Sequence, residues 1–394
     1  MSNINIPSGY KPSPFGPIPE DWEVKRLGEI VSVNSGKDYK HLSPGNIPVY
    51  GTGGYMLSVS DRLSDIDAVG IGRKGTIDKP QYLRAPFWTV DTLFYLTTKG
   101  CNDLEFVFNI SQIVKWKKYS EQTGVPSLTS KSINNILILV PPLPEQQRIV
   151  SVLSLWDTAI AKQTALIEKL TLRKRGLMQQ LLTGKKRLKG FDEEWMEVRL
   201  GDIGDTYSGL INKNKDDFEE GNARYIPYMN VFSNEKVDTN NLGQVKVSAS
   251  EKQTKVKYGD IFFTVSSETP EEVGMASVLL YDIENTYLNS FCFGYRPNGF
   301  ETLLPVFASH LLRGNSFRKE MYKIAQGSTR FNISKNEVMD MRIALPSINE
   351  QNAIASVLVN ADKEIEIQKQ KLAALQEQKK GLMQVLLTGK KRIK

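Results

Sequence analysis

GLMQQLLTGKKRLK at residues 176–189 returns as GLMQVLLTGKKRIK at residues 381–394, 205 positions later. A long internal repeat organises an architecture before any single motif does. The match extends back through Glu145 and Gln146 to Glu350 and Gln351. Further upstream WEVKRLGEI (residues 22–30) resembles WMEVRLGDI (residues 195–203), now at a spacing of 173. The chain therefore reads as two tandem units, each an entry strand, a variable body and a long segment ending in LLTGKKR. The offset grows from 173 to 205 because the second body is the longer.

The repeated segment carries a helical signature. From Ile149 the seam steps by four and three through Leu153, Trp156, Ile160, Gln163, Ile167, Leu170, Lys174, Leu177 and Leu181. Its echo runs Ile354, Leu358, Ala361, Ile365, Gln368, Leu372, Leu375, Lys379, Leu382 and Leu386. A sustained 3.5-residue period is that of a coiled coil. Gln and Lys recur at the same two seam positions. Polar residues there fix register and partner number, while a lysine stem along the seam with its head in water is the alternative. Prolines 141, 142 and 144 precede one helix and Pro346 the other; Gly184 and Gly389 supply C-terminal stops. Roughly 34 residues at about 1.5 Å each give a rod of about 50 Å.

Two such rods in one chain invite pairing. Pseudo-twofold packing would make the helices antiparallel and carry the bodies to opposite ends, with the rods as spacer. The bodies read as short β-rich runs broken by Gly, Pro, Asn and Asp, which predicts α+β domains with much antiparallel strand and leaves the topology open. The expected boundaries are 1–141 and 187–346 for the bodies, and 142–186 and 347–394 for the helices.

Composition is that of a soluble chain: of 394 residues 40% are hydrophobic and 24% charged, which argues against wholesale disorder. The net charge of +7 favours a polyanionic partner such as nucleic acid. Cys101 and Cys292 lie far apart on hydrophobic stretches and read as small buried side chains, not a disulfide framework. With no apolar run long enough for a signal peptide or a membrane span, the expected location is the cytoplasm. If duplicated bodies read DNA, symmetry would demand paired half-sites. Diverged bodies would make those halves differ, giving an asymmetric bipartite target with an unread gap.

At this level of detail the chain resembles the specificity subunits of type I restriction-modification systems over essentially its whole length. The resemblance rests on the tandem order of body, helix, body, helix, on the LLTGK endings, and on PPLPEQQ (residues 141–147) leading into the first helix. A weaker echo, LPSINEQ (residues 345–351), leads into the second and lacks the double proline and the second glutamine. The resemblance implies a non-catalytic chain that chooses the DNA sequence. Its helices would dock two copies of an adenine-N6 methyltransferase subunit, with two restriction subunits able to join. S-adenosylmethionine, ATP and magnesium would then sit on the partners. The sequence agrees through absences: it has no Asn-Pro-Pro-Tyr-like loop for a flipped base, no phosphate-binding Gly-x-x-x-x-Gly-Lys-Ser/Thr loop, and no metal-site spacing of its two histidines and two cysteines. The rival classes are a coiled-coil interaction scaffold and a nucleic-acid enzyme that needs no external catalytic subunit.

Candidate DNA contacts come from loops. Gly70-Ile71-Gly72-Arg73-Lys74-Gly75 fits a dinucleotide fingerprint literally, but Pro80 stands where the required helix should grow. A basic turn offering Arg73 to guanine, with Lys74 and Thr76 beside it, is one reading; a plain exposed hairpin is the other. Lys115, Lys117 and Lys118 interleave with Trp116 and Tyr119, either as a phosphate track or as a solvated face with Trp116 in the core. The loops 123–129 and 327–333 hold the same place in the two units, offering Ser127, Arg330 and Asn332 as readers or as ordinary connections. Thr264 and Ser266 follow an apolar strand and form a third candidate. For partner docking, outward apolar residues of the helices, Val152, Leu166, Val357 and Met383, are the expected face.

Overall fold

The computed structural model describes residues 6–121, 124–218 and 220–393. Two helices of 39 residues dominate it, Leu143–Leu181 and Ile348–Leu386. The first begins earlier than its seam: Pro144 sits within its first turn, where a missing N–H costs nothing. Both helices run out into glycines with positive φ, Gly184 at 67° and Gly389 at 68°, a conformation that L side chains resist.

The chain divides into two compact units, residues 1–164 with 370–394, and residues 165–369. Each combines one body with a length of each helix. In unit 1 the entry strand Glu23–Arg26 pairs antiparallel with Leu137–Val140, the strand that leads into the first helix. In unit 2 Met196–Arg199 pairs with Arg342–Leu345 in the same way. Each body is thus closed by its entry strand and its last strand; in unit 1 a short hairpin, Tyr10–Lys11 with Ile18–Pro19, precedes the entry strand. The second half of each repeated entry segment, Leu27–Ile30 and Leu200–Ile203, is one helical turn, not a strand. Gly28 is required there, because a Cβ would lie within 2.3 Å of the Asn134 side chain.

Behind unlike sequences the bodies share a topology. Unit 1 has a four-stranded antiparallel sheet in the order Val31–Ser35, Leu93–Thr98, Ala68–Gly72, Gln81–Leu83. Unit 2 repeats it with Gly204–Ser208, Cys292–Pro297, Ile261–Thr264, Ala276–Val278. A second, three-stranded sheet follows the same plan in both. Its middle strand, Pro44–Gly51 or Ala223–Ile226, pairs antiparallel on one side and parallel with Trp88–Thr89 or Thr286–Leu288 on the other.

The core of unit 1 gathers Trp22, Leu27, Ile71, Phe106 and Trp116 with Ile149 and Leu153 from the first long helix. Met383, Leu386 and Leu387 join it from the second. Unit 2 mirrors this with Ile354 and Leu358 from the second helix, and Leu181 and Leu182 from the first. Burial of each such side chain contributes about 1.5–3 kcal/mol, so both helices are bound into both cores. Every seam position predicted from the sequence is buried or half-buried. Within each unit the helix segments run antiparallel. In unit 2 Lys174 meets Asp362 at 2.6 Å and Arg173 meets Glu364 at 3.9 Å, one number falling as the other rises. In unit 1 Lys379 meets Asp157 at 2.6 Å. The seam lysines therefore end on carboxylates rather than in open water. Cys292 is buried as expected, but Cys101 is exposed, because it falls in the turn between a strand and a helix rather than on either.

Candidate nucleic-acid interface

In unit 1 the strand Ala68–Gly72 leaves its sheet into the turn Arg73-Lys74-Gly75-Thr76. Gly72 is forced by close approach, since a Cβ would stand 2.0 Å from the Thr76 carbonyl oxygen, and Gly75 has φ 86°. Residues 73–80 form no helix, so the fingerprint lacks the helix N-terminus that a pyrophosphate would need. Backbone bonds clamp the turn. Arg73 N donates to Thr92 O (2.8 Å), Gly75 N to Pro126 O (2.9 Å) and Leu128 N to Arg73 O (2.8 Å), while Lys74 bridges to Ser127. Two separately predicted candidates, the basic turn and the Ser127 loop, are thereby one structure. Thr123, at the start of that loop, lies outside the described residues. Arg73 and Lys74 are exposed, with the Arg73 guanidinium 5.7 Å from the Phe94 ring centroid. Thr76 and Ser127 are half-buried.

Unit 2 builds the same junction from different residues. Val265 N donates to Phe291 O (3.1 Å) and Ile333 N to Val265 O (3.0 Å), while Ser266–Ser267 pairs with Phe331–Asn332. These bonds place Arg73 with Val265, Lys74 with Ser266, Thr92 with Phe291, and Ser127 with Asn332. Arg330 and Asn332 are exposed, and the Arg330 guanidinium donates to Ser266 Oγ at 3.2 Å. Thr264 does not belong to this face. It is fully buried at the end of its strand, and its hydroxyl accepts Met275 N at 2.9 Å. Ser266, two residues further on, is itself only 9% exposed and reaches this face as the acceptor of the Arg330 bond.

The two faces differ in chemistry. At the unit 1 junction Arg73 and Lys74 are exposed, next to a groove of about 690 Å³ lined by Asp38, Lys40, Tyr55, Met56, Asp91 and Thr92; Lys115 is exposed too, but it lines a separate cavity with Asp157 and Lys379 of the long helices. Lys117 and Lys118 are exposed, but Lys117 is spent on Asp78 at 2.7 Å and holds that carboxyl below its usual range. Trp116 is turned into the core, with its ring N–H on Ser111 O. In unit 2 a cavity of about 800 Å³ combines Arg330 and Ser266 with Glu268, Glu272, Met229 and Phe291. Sequence reasoning missed Met229 and Phe291. Phe291 follows Asn289-Ser290 but runs straight into Cys292-Phe293, so in the sequence it reads as the start of the apolar strand.

On the helices, Leu166 is exposed as expected, whereas Val152 and Val357 are half-buried against the cores. Met383 is only 6% exposed and belongs to the core of unit 1, because the helix buries a second stripe against the body beside its seam. Leu155, Leu172 and Ile367 are the exposed apolar residues that the sequence reading did not name. Unit 2 also assembles Glu235, His310 and Asp362, whose ligand-type atoms lie within 4.8 Å of one another. Its cation is already in place: the Lys174 ammonium contacts Glu235 at 2.9 Å and Asp362 at 2.6 Å. His310 is fully buried with Nδ1 3.3 Å from Glu235, close but too oblique for a full hydrogen bond. Burial pushes the Glu235 carboxyl up, but the His310 contact and Lys174 outweigh it and hold it down at about 2. Among the described residues no helix is long and apolar enough to cross a membrane.

Comparison with known proteins places this geometry. A family model described as the type I restriction modification DNA specificity domain matches residues 19–172 and again 192–377, once per repeat. The type I restriction enzyme MjaVIII specificity subunit of Methanocaldococcus jannaschii is 26% identical over 417 aligned residues, covering 96% of this chain and 94% of its own. The crystal structure of a type I restriction-modification S subunit from M. genitalium shares the fold with a TM-score of 0.56 and 15% identity, covering 98% of both chains. A chain from a study of complex assembly and conformational transition in the type I system reaches a TM-score of 0.61 at 18% identity, covering 94% of this chain and 99% of that one. With a duplicated match across both repeats and relatives aligned end to end, this chain belongs to the type I restriction-modification DNA specificity family.

Proposed function

We propose that the chain reads an asymmetric, bipartite DNA site, one half-site per unit, and directs methyltransferase and restriction subunits to it without catalysing either reaction. The observation that carries this is the pair of equivalent junctions. The same backbone bonds hold Arg73, Lys74, Thr92 and Ser127 in one unit, and Val265, Ser266, Phe291 and Asn332 in the other. A constant frame with changed side chains is what two readers of different sequences require. Arg73 and Arg330 are suited to the paired acceptors of guanine, Asn332 to adenine, and Lys74 and Lys115 to phosphate. Two methyltransferase copies would be received by the helices, whose entry and exit motifs are written twice; Leu155 and Leu166 offer exposed apolar surface on the first. S-adenosylmethionine, ATP and magnesium would be carried by those partners.

The test is methylation sequencing of DNA from cells that express this chain with an adenine methyltransferase subunit of the same system. The expected result is one two-part motif, methylated on both strands, with an unspecified gap. A continuous motif would overturn the bipartite reading, and no sequence preference would overturn the DNA-reading role itself.

A further inference from the structure

Phe291 is 64% exposed and Met229 58% exposed, and both line the cavity of unit 2 that also holds Ser266, Glu268, Glu272 and Arg330. Exposed apolar surface of this kind is costly in water, and here it is not a floppy accident. The backbone of Phe291 is pinned on both sides. Its N–H donates to Asn289 Oδ1 at 2.6 Å, its carbonyl accepts Val265 N at 3.1 Å, and Asn289 is itself 7% exposed. The ring is therefore presented from a fixed turn, so little order remains to be lost on contact.

The surroundings select what it meets. A surface that follows the DNA backbone is rich in cations, whereas this cavity sets one guanidinium, Arg330, against the carboxylates of Glu268 and Glu272. Glu272 is committed locally to the Thr269 hydroxyl at 2.7 Å. Two carboxylates repel phosphate but accept from an exocyclic amine, which points the cavity at base edges. On those edges the apolar group of the major groove is the thymine 5-methyl. The position is also free to vary: its counterpart, held by the same backbone bond, is Thr92.

Building on the reading of unit 2 as a DNA-recognition body, we propose that Phe291 is a specificity-determining residue. It packs on the 5-methyl group of one thymine in the half-site read by unit 2, with Met229 as a second apolar wall. Arg330 and Glu268 read the polar edges of neighbouring bases. No covalent step is involved.

The experiment uses the full chain in complex with its methyltransferase subunit, and duplexes carrying the motif found by methylation sequencing. Each thymine in both half-sites is replaced in turn by uracil, which removes the methyl and nothing else, and binding is measured by competition. One position in one half-site should weaken binding by about three- to fivefold, the worth of one apolar carbon. Phe291→Ser should bind the thymine and uracil duplexes alike at that position and leave the other half-site untouched. Phe291→Leu should keep part of the preference, which separates a lost contact from a lost fold. Equal binding of all uracil duplexes by the unaltered protein overturns the proposal, as does an undiminished preference in Phe291→Ser. So does a Phe291→Ser variant that merely loses its methyltransferase subunit, since that would make the patch a protein contact. Absence of any motif preference in the unaltered complex would instead sink the DNA-reading role on which the proposal stands.

Discussion

Glu145, in the first turn of the first long helix, holds Arg392, just beyond the second, by nitrogen–oxygen contacts of 2.6 and 3.2 Å. Trp22 donates its ring N–H to the same carboxylate at 3.0 Å. Unit 2 repeats the arrangement with Glu350, Arg187 at 2.6 Å twice, and Trp195 at 3.2 Å. The residue after each glutamate does the complementary work. Gln146 accepts Asp103 N and donates to Pro141 O; Gln351 accepts Leu304 N and donates to Pro346 O. The Glu-Gln pair is thus the joint between helix entry, body and the arginine of the Gly-Lys-Lys-Arg ending. This accounts for the repeat being loudest at the two places where sequence and joint coincide.

Arg392→Ala should destabilise unit 1 by about 2–3 kcal/mol, because it strands a carboxylate that is 5% exposed. Adding Glu145→Gln should recover part of that loss, since the stranded charge is then gone. Urea denaturation of the two single variants and the double variant, followed by tryptophan fluorescence, checks this. Additive losses would mean that the pair is not coupled.

Lys174 and Lys379 hold the same position of the repeat but not the same burden. Lys174 neutralises both Glu235 and Asp362, whereas Lys379 faces Asp157, which is 55% exposed. Lys174→Met should therefore cost about 3 kcal/mol, and Lys379→Met under about 1 kcal/mol. Thermal unfolding of the two variants measures the difference, and equal losses would contradict it.

The helix seam was legible because its period survives in the sequence and because every polar seam residue has a sheltered place. The shared topology of the bodies was not, since backbone bonds such as Arg73 N to Thr92 O and Val265 N to Phe291 O accept any side chain. Arg73 stood out because Gly72 and Gly75 are dictated by steric approach and positive φ. Phe291 did not, because an exposed phenylalanine looks like core in a sequence. Met383 was misplaced for a related reason: it neighbours the seam residue Leu382, and only the packed body shows that the helix buries two stripes.

The pH response of unit 2 should come largely from Glu235. Its folded value of about 2 lies below the ordinary 4.5. The stabilisation is therefore complete above about pH 4.5 and is lost progressively as the pH falls towards 2, a contribution of ~2–3 kcal/mol. Glu235→Gln should flatten the stability profile across that window while lowering stability at neutral pH. Denaturation midpoints between pH 2 and 7 provide the measurement, and an unchanged acid slope would assign the response to other carboxylates.

Arg73 and Arg330 offer the sharpest separation of the two units. If each reads guanine, Arg73→Ala should relax one position of one half-site, Arg330→Ala one position of the other, each by about 1–3 kcal/mol of discrimination. Lys74→Ala should instead weaken all sequences alike and reduce the salt dependence of binding by about one counterion. Arg330 is tied to a side chain, by its 3.2 Å bond to Ser266 Oγ, whereas Arg73 rests on the Asp91 carbonyl at 3.5 Å and on the Phe94 ring. Ser266→Ala should accordingly loosen the preference set by Arg330 without touching the half-site set by Arg73. Methylation sequencing with each variant reads both half-sites at once. An arginine change that altered both halves together would place it on a shared structural role rather than on base recognition.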